Sequence, residues 1–344
     1  MLYRTTRDKY DVVTAYKTVH ADCYVDGGLF LPFRMPQLDR AQIQAIGTVS
    51  LTQTIANVLN ELFSSSLTAW DIEAAIGRMP VRLSVVGRQI VAGELWHNNG
   101  GCVEAIVQAL SNRIGGDQEE PTNWMEIAVR ISLLFASYGM MLSTQMVKAY
   151  EKLDVAVATG DFTMAIAAYY AREMGLPVGN IICGCNANGG FWDLLNRGEF
   201  ATGERAVSTW TAEADLILPR NLERLIHGVF GVDENKRYLL NCSKGRTYTL
   251  TEEQRNMLCK GMFAAVISDS RVATIIPGVY RTRSYVLSPY AALAYGSLQD
   301  FRATTGEENP TLLMADRSPM KDSALVSRIL RIKETDLEKR VIRL

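Results

Sequence analysis

The stretch from Asp154 to Asn186 limits the fold more than any other. DVAVAT reads as a strand, Gly160 as a tight turn, FTMAIAAYYAREM as a helix and NIICGCN as a second strand, together a βαβ unit. In such units the turn after the first strand presents free backbone N–H groups at a helix N-terminus, where many α/β proteins hold a phosphate or another anion. Here that place carries Asp161. A fixed carboxylate satisfies those N–H groups and the positive end of the helix dipole, and repels an incoming phosphate. Gly160, Asp161, Phe162 and Thr163 are therefore the candidate ligand-facing residues of the turn, with Asp161 read first as a helix cap worth roughly 0.5–2 kcal/mol.

The charge balance removes several functions. Lys and Arg total 36, Asp and Glu 37, and the net charge is -1 with no basic run, so neither nucleic acid nor an anionic membrane is expected as a partner. MLYRTTRDKYDVV is charged and lacks an apolar signal core, and no segment is read as an uninterrupted membrane span, so a cytoplasmic location is expected. The six cysteines include no C-x-x-C pair, and Cys183 and Cys185 fall in a predicted buried strand, which suits reduced structural thiols. Three histidines far apart in sequence predict no metal site.

Alternation of strand and helix signals continues along the chain. DGGLFLPFRMPQLDR reads as an extended segment and a turn-rich loop, residues 41–76 as helical, and VRLSVVGRQIVAGELW as a hairpin around Gly87. CVEAIVQALSNRIGG reads as a helix closed by Gly115, and residues 123–150 as one helix or two, with Gly139 a candidate break. Thr251 and Gln254 form a capping box for a helix expected to reach about Ser268, and Ser288-Pro289 opens a helix that Gly306 closes. The class is α/β.

Several collinear segments resemble the threonine synthase family, pyridoxal-phosphate lyases of fold type II. They are YRTTRDKY and DGGLFLP near the start, GELWHNNGG (similar to E-L-F-H-G-P-T), TNWMEI, ATGDFTMAIAAYYAREMGLP, PRNLERLIHG, SPYAALAYG and PTLLMADRSPMK. The resemblance implies a fold-type-II sheet flanked by helices. It also implies where the cofactor chemistry should lie, and there the chain departs. The gapless reading from His97 puts Glu104 where the family has its Schiff-base lysine, and an acid supplies no nucleophilic nitrogen. Gly160, Asp161, Phe162, Thr163 and Met164 stand in place of the phosphate loop Gly-Asn-Phe-Gly-Asn. Leu313, Met314 and Ala315 replace a Ser-Thr-Ala whose hydroxyl meets the pyridine nitrogen. Only IGGDQEEPT separates the lysine-equivalent helix from the Asn-Trp helix, where the family places a mobile subdomain.

On this reading the chain is a single α/β threonine-synthase-like domain over 1–344. It has an N-terminal segment (1–116), a helical connection (117–150) and a C-terminal segment (151–344), most of the mobile second subdomain being deleted. No cofactor is expected, pyridoxal phosphate being lost. The leading function is a non-catalytic pseudoenzyme acting as a binding or regulatory partner; the alternative is a repurposed, pyridoxal-phosphate-independent enzyme acting on an amino-acid-derived substrate. Its candidate catalytic residues are His97, Cys102 and Glu104, with Asn98 and Asn99 as further ligand-facing groups at the end of a strand. Against these stand plainer readings: a turn at Asn98 and Asn99, a core Cys102 and a solvated Glu104. An amino-acid-like small molecule is the expected ligand. Removal of a subdomain is expected to uncover apolar residues of the 123–150 region, with a homo-oligomer or protein partner covering Met140, Met141 or Met146.

Overall fold

The computed structural model describes the chain from residue 1 to 344 apart from residues 9, 78–80, 98–100, 116–120, 204 and 344. A small antiparallel sheet opens it, β1 (Leu2–Thr5) lying between β2 (Val13–Thr14) and β3 (Phe30–Pro32), with α1 (Ala15–His20) after β2. The helical region that follows divides into α2 (Arg40–Ala45), α3 (Leu51–Phe63) and α4 (Ala69–Ile76). Each begins where a side chain takes the N–H three residues on: Asp39 from Gln42, Ser50 from Gln53 and Thr68 from Asp71. The expected hairpin is β4 (Arg82–Gly87) and β5 (Ile90–Glu94).

Gly115, at a φ of 84°, closes α5 (Cys102–Ile114) as expected. The next helix, α6 (Asn123–Ser143), runs through Gly139 without a break. A Cβ at Gly139 would lie 2.9 Å from the carbonyl oxygen of Ile46, so glycine serves a close approach there. With 21 residues, and a mean hydropathy of 1.4 over an 18-residue window within it, α6 is long and apolar enough by length and composition to cross a bilayer, which corrects the expectation that no segment is. Inside the protein 78% of that window is buried, as befits a core helix.

The βαβ unit is β6 (Leu153–Ala158), α7 (Thr163–Glu173) and β7 (Val178–Cys185), the strands parallel. After it come α8 (Gly190–Arg197), β8 (Glu199–Phe200), α9 (Leu222–Phe230), α10 (Val232–Ser243), β9 (Tyr248–Thr249) and α11 (Glu252–Cys259). The capping box starts α11 as expected, but the helix ends at Cys259 and not near Ser268. MFAAV is instead a strand, β10 (Met262–Val266), because a short apolar run in a sheet reads like the continuation of a helix. The chain ends with α12 (Asp269–Arg283), α13 (Pro289–Thr305), β11 (Thr311–Ala315), α14 (Ser323–Leu330) and α15 (Glu334–Arg343).

Six strands form the central sheet in the order β10-β7-β6-β11-β5-β4, all pairs parallel except the β4 edge. Their side chains alternate between two cores. Val155, Val157, Leu312 and Met314 face the core that holds α3, α5, α6 and α7. Ala156, Leu313 and Ala315 face the other, built on α12, α13 and α14.

The apolar face of α6 is covered by the chain's own α3, α5, α7 and α1. Met141 is 1% exposed, Met140 is half-buried, and only Met146, at 37%, reaches the surface. The chain itself thus covers Met141, which corrects the expectation of an uncovered face there, while Met146 stays at the surface. α5 and α6 pack directly against each other.

Candidate functional site

A cleft of about 360 Å³ opens at the carboxyl edge of the parallel strands, between the ends of β6 and β11. Its floor is the turn from Thr159 to Thr163. Gly160 adopts a φ of 46°, and Phe162 a φ of 72° in the left-handed region. The Phe162 ring is buried, with its centroid 4.6 Å from that of Phe191, so this predicted ligand contact belongs to the core. The helix begins at Thr163, and Asp161 caps it from two residues back: the Thr163 N–H donates to Oδ1 at 3.0 Å and the Thr163 hydroxyl to Oδ2. Asn221 braces the turn, its backbone N–H donating to the Asp161 carbonyl at 3.1 Å and its amide to Thr163 Oγ1 at 2.9 Å.

Asp161→Ala is therefore expected to lower stability by about 1 kcal/mol in urea denaturation, and Asp161→Asn by less, because it keeps an accepting oxygen. Equal losses would point to charge alone; no loss in either would refute the cap.

Charged residues of both signs converge on the cleft. Glu104, in the first turn of α5, faces it with its carboxylate folded back toward Gly101, where a Cβ would meet Glu104 Oε2 at 2.5 Å. Arg130 of α6 joins it, 3.5 Å from Glu126, with its Nε buried and without a hydrogen-bond partner among the described residues. Burial raises the Glu126 carboxyl against the pull of Arg130. Met314 and Asp316 contribute from the end of β11. Asp316 is exposed to solvent in the cleft, and the protein walls around it raise its carboxyl while Arg130 opposes the shift.

The outer wall is a linked group. Arg317 meets Asp322 through Nε at 3.0 Å and Glu213 through Nη1 at 2.5 Å, and its guanidinium lies 4.9 Å from the Tyr290 ring centroid. Burial works against the Arg317 charge, but Asp322 and Glu213 outweigh it and raise its pKa. Burial also pushes the Tyr290 hydroxyl up to about 12. Lys321 lines the same cleft and makes no ion pair among the described residues.

The three candidate catalytic residues do not come together. Glu104 lines the cleft, but His97 does not: its Nε2 pairs with the buried Glu94 carboxylate, and its ring stacks on Trp96 at 4.0 Å. Cys102 is 0% exposed, and desolvation followed by the Glu104 charge pushes its thiol up to about 12. Such a thiol is not a thiolate at neutral pH, which corrects the reading of Cys102 as a nucleophile. Asn98 and Asn99 lie outside the described residues. Among the described residues no group of three or more His, Cys, Asp or Glu could hold a metal ion. Arg130, Glu213, Tyr290, Asp316 and Arg317 escaped sequence reasoning. Asp316 and Arg317 had one signal, charge directly after the apolar run TLLMA at a strand's carboxyl end.

Residues 2–79 match the threonine synthase N-terminus family. Threonine synthase-like 1 of Homo sapiens is 26% identical over 175 residues, 50% of this chain and 24% of that protein. Threonine synthase of Pseudomonas aeruginosa is 26% identical over 206 residues, 58% of this chain and 41% of that protein. The chain thus spans less than half the length of either relative. Among solved structures, pyridoxal-phosphate-bound threonine synthase from Brucella melitensis superposes with a TM-score of 0.81 at 17% identity, covering 96% of this chain and 91% of that one. The yeast enzyme gives 0.80 at 16% identity, covering 96% and 90%. These two carry the likeness of fold, a parallel sheet flanked by helices.

Proposed function

We propose that this chain, which belongs to the threonine synthase family, is a pseudoenzyme whose cleft binds a small amino-acid-like zwitterion without pyridoxal phosphate and without the family's catalysis. The observation that carries the reading is Asp161, whose carboxylate already accepts the first N–H of α7 at the place where the fold offers its anion cradle. A phosphate dianion brought there would meet a carboxylate, not a row of free donors. The remaining cleft residues suit the cofactor no better: Glu104 lines the wall where the resemblance calls for a lysine, and Met314 offers a thioether where it calls for a hydroxyl. Carboxylates at Glu104, Asp161 and Asp316 instead suit an ammonium group, while Lys321 and Arg130 can face a carboxylate. Such a site supports a binding or regulatory role.

Two other readings draw on single observations. A pyridoxal-phosphate-independent enzyme acting on an amino-acid-derived substrate would use Asp316, whose carboxyl is raised, with Glu104 and Lys321 beside it, and would leave out His97 and Cys102. A residual lyase would need Lys321 as its amine, and this lysine does line the cleft.

Titration with pyridoxal phosphate separates these readings. The pseudoenzyme reading expects no saturable visible absorbance and no pyridoxyl adduct after borohydride reduction. An adduct mapped to Lys321 would overturn it in favour of the lyase. Native mass spectrometry of protein from its own source is expected to show a retained small zwitterion; turnover of such a molecule would favour the repurposed enzyme.

A further inference from the structure

At the opposite, amino-terminal edge of the same strands lies a second cavity, of about 490 Å³. Three cations converge on it from different elements: Lys152 just before β6, Arg172 near the end of α7 and Lys260 just before β10. None of the three forms an ion pair among the described residues. In a chain with a net charge of -1, three unpaired cations around one cavity are a local excess.

The backbone is shaped around that cavity. Pairing of β6 with β7 shifts there from Leu153 opposite Val178 to Val155 opposite Ile181, so Gly179 and Asn180 together oppose Asp154. Bulges are rare between parallel strands and gather at functional edges. Gly179 and Gly261 both line the space. A Cβ on Gly261 would lie 2.5 Å from Arg172 Nη1, and one on Gly179 would lie 2.7 Å from Asp154 Oδ1. Arg172 is held in place, its Nη1 donating to the Gly261 carbonyl at 3.2 Å and its guanidinium 5.5 Å from the Tyr169 ring centroid.

Two carboxylates stand nearby, and both are engaged. Glu307 lines the cavity, but its Oε2 accepts from the Asn180 and Asn309 amides at 3.1 and 3.2 Å. Asp154 is buried behind Gly179 and accepts the Asn180 N–H at 2.8 Å and its amide at 3.0 Å.

We infer that this cavity is an anion site for a phosphorylated small molecule, held by Lys152, Arg172 and Lys260. A phosphate group with up to about two negative charges balances the excess, and a guanidinium anchored on one edge keeps other N–H groups for a phosphate oxygen pair. The site is separate from the zwitterion cleft and does not depend on how that cleft is read.

Isothermal titration of the full chain with inorganic pyrophosphate tests it. Saturable binding with one site per chain is expected. The double variant Lys152→Ala and Lys260→Ala, both exposed side chains, should weaken it by about tenfold or more while circular dichroism stays unchanged. Arg172→Gln should weaken it similarly. Lys321→Ala, in the cleft, should leave it unaltered. No saturable heat would overturn the site, as would loss of binding in Lys321→Ala with the double variant unaffected.

Discussion

Gly184→Ala is expected to destabilise the protein by more than about 3 kcal/mol, above the usual range for one added methyl group in a core. Gly184 lies near the end of β7, opposite Ala158 of β6 and Ala265 of β10, with α13 crossing above it. A Cβ at this position would stand 2.3 Å from the carbonyl oxygen of Leu293 and 2.7 Å from the amide nitrogen of Ala294. Both atoms are backbone, so no rotamer change can relieve the overlap, and α13 must move away from the sheet. That helix is seated by small residues, with Ala291, Ala292 and Ala294 buried and the Ser297 hydroxyl donating to the Cys183 carbonyl at 3.0 Å. Lifting it would open the second core along its length. The Gly184 carbonyl also accepts the N–H of Thr159, at the cleft floor, so the strain would reach the site. Urea denaturation of the variant measures the loss; an unfolding free energy within about 1 kcal/mol of the parent would refute the close approach.

Arg224→Ala is expected to cost about 3–5 kcal/mol, the sum expected from buried acceptors left unpaired at about 1–3 kcal/mol each and from the void left by a large side chain. Arg224, in α9, is fully buried. Its Nε donates to the Phe30 carbonyl at 3.1 Å, and its Nη1 donates to Asn123 Oδ1 at 2.6 Å and to Asn221 Oδ1. Burial lowers its pKa to about 10, so it stays charged at neutral pH. One side chain thus ties the N-terminal sheet, the start of α6 and the start of α9, and through Asn221 it braces the Asp161 turn. Truncation leaves three buried acceptors unpaired and a large void. Arg224→Lys keeps the charge but cannot reach all three acceptors with a single ammonium group, so an intermediate loss is expected. Chemical denaturation of both variants gives the order; equal stability of Arg224→Ala and the parent would show that the network does not hold these segments.

Much of the framework was legible because its signals are local. The βαβ unit, the hairpin before β5, the ends of α5 and α13 and the start of α11 each rest on alternation, a cap or a turn within a few residues. Asp161 belongs with them, for a carboxylate beside the first turn of a helix has its partner N–H two residues away. β10 was missed because MFAAV carries no period of its own, and only pairing with β7 makes it a strand.

The membership of the cleft could not be read in the same way. Arg130, Glu213, Tyr290, Asp316 and Arg317 come from distant parts of the chain and meet only when β11 inserts between β5 and β6 and α6 packs against α5 and α7. Long-range packing likewise closed the apolar face of α6 and buried Cys102, whereas His97 turns to Glu94, only three residues away. The sequence by itself determined the local backbone and the carboxylate at the helix start, because caps, turns and alternation act over a few residues. Tertiary structure alone decided which charges share a cavity and which thiol or imidazole reaches it, because burial and convergence depend on contacts between segments far apart in the chain.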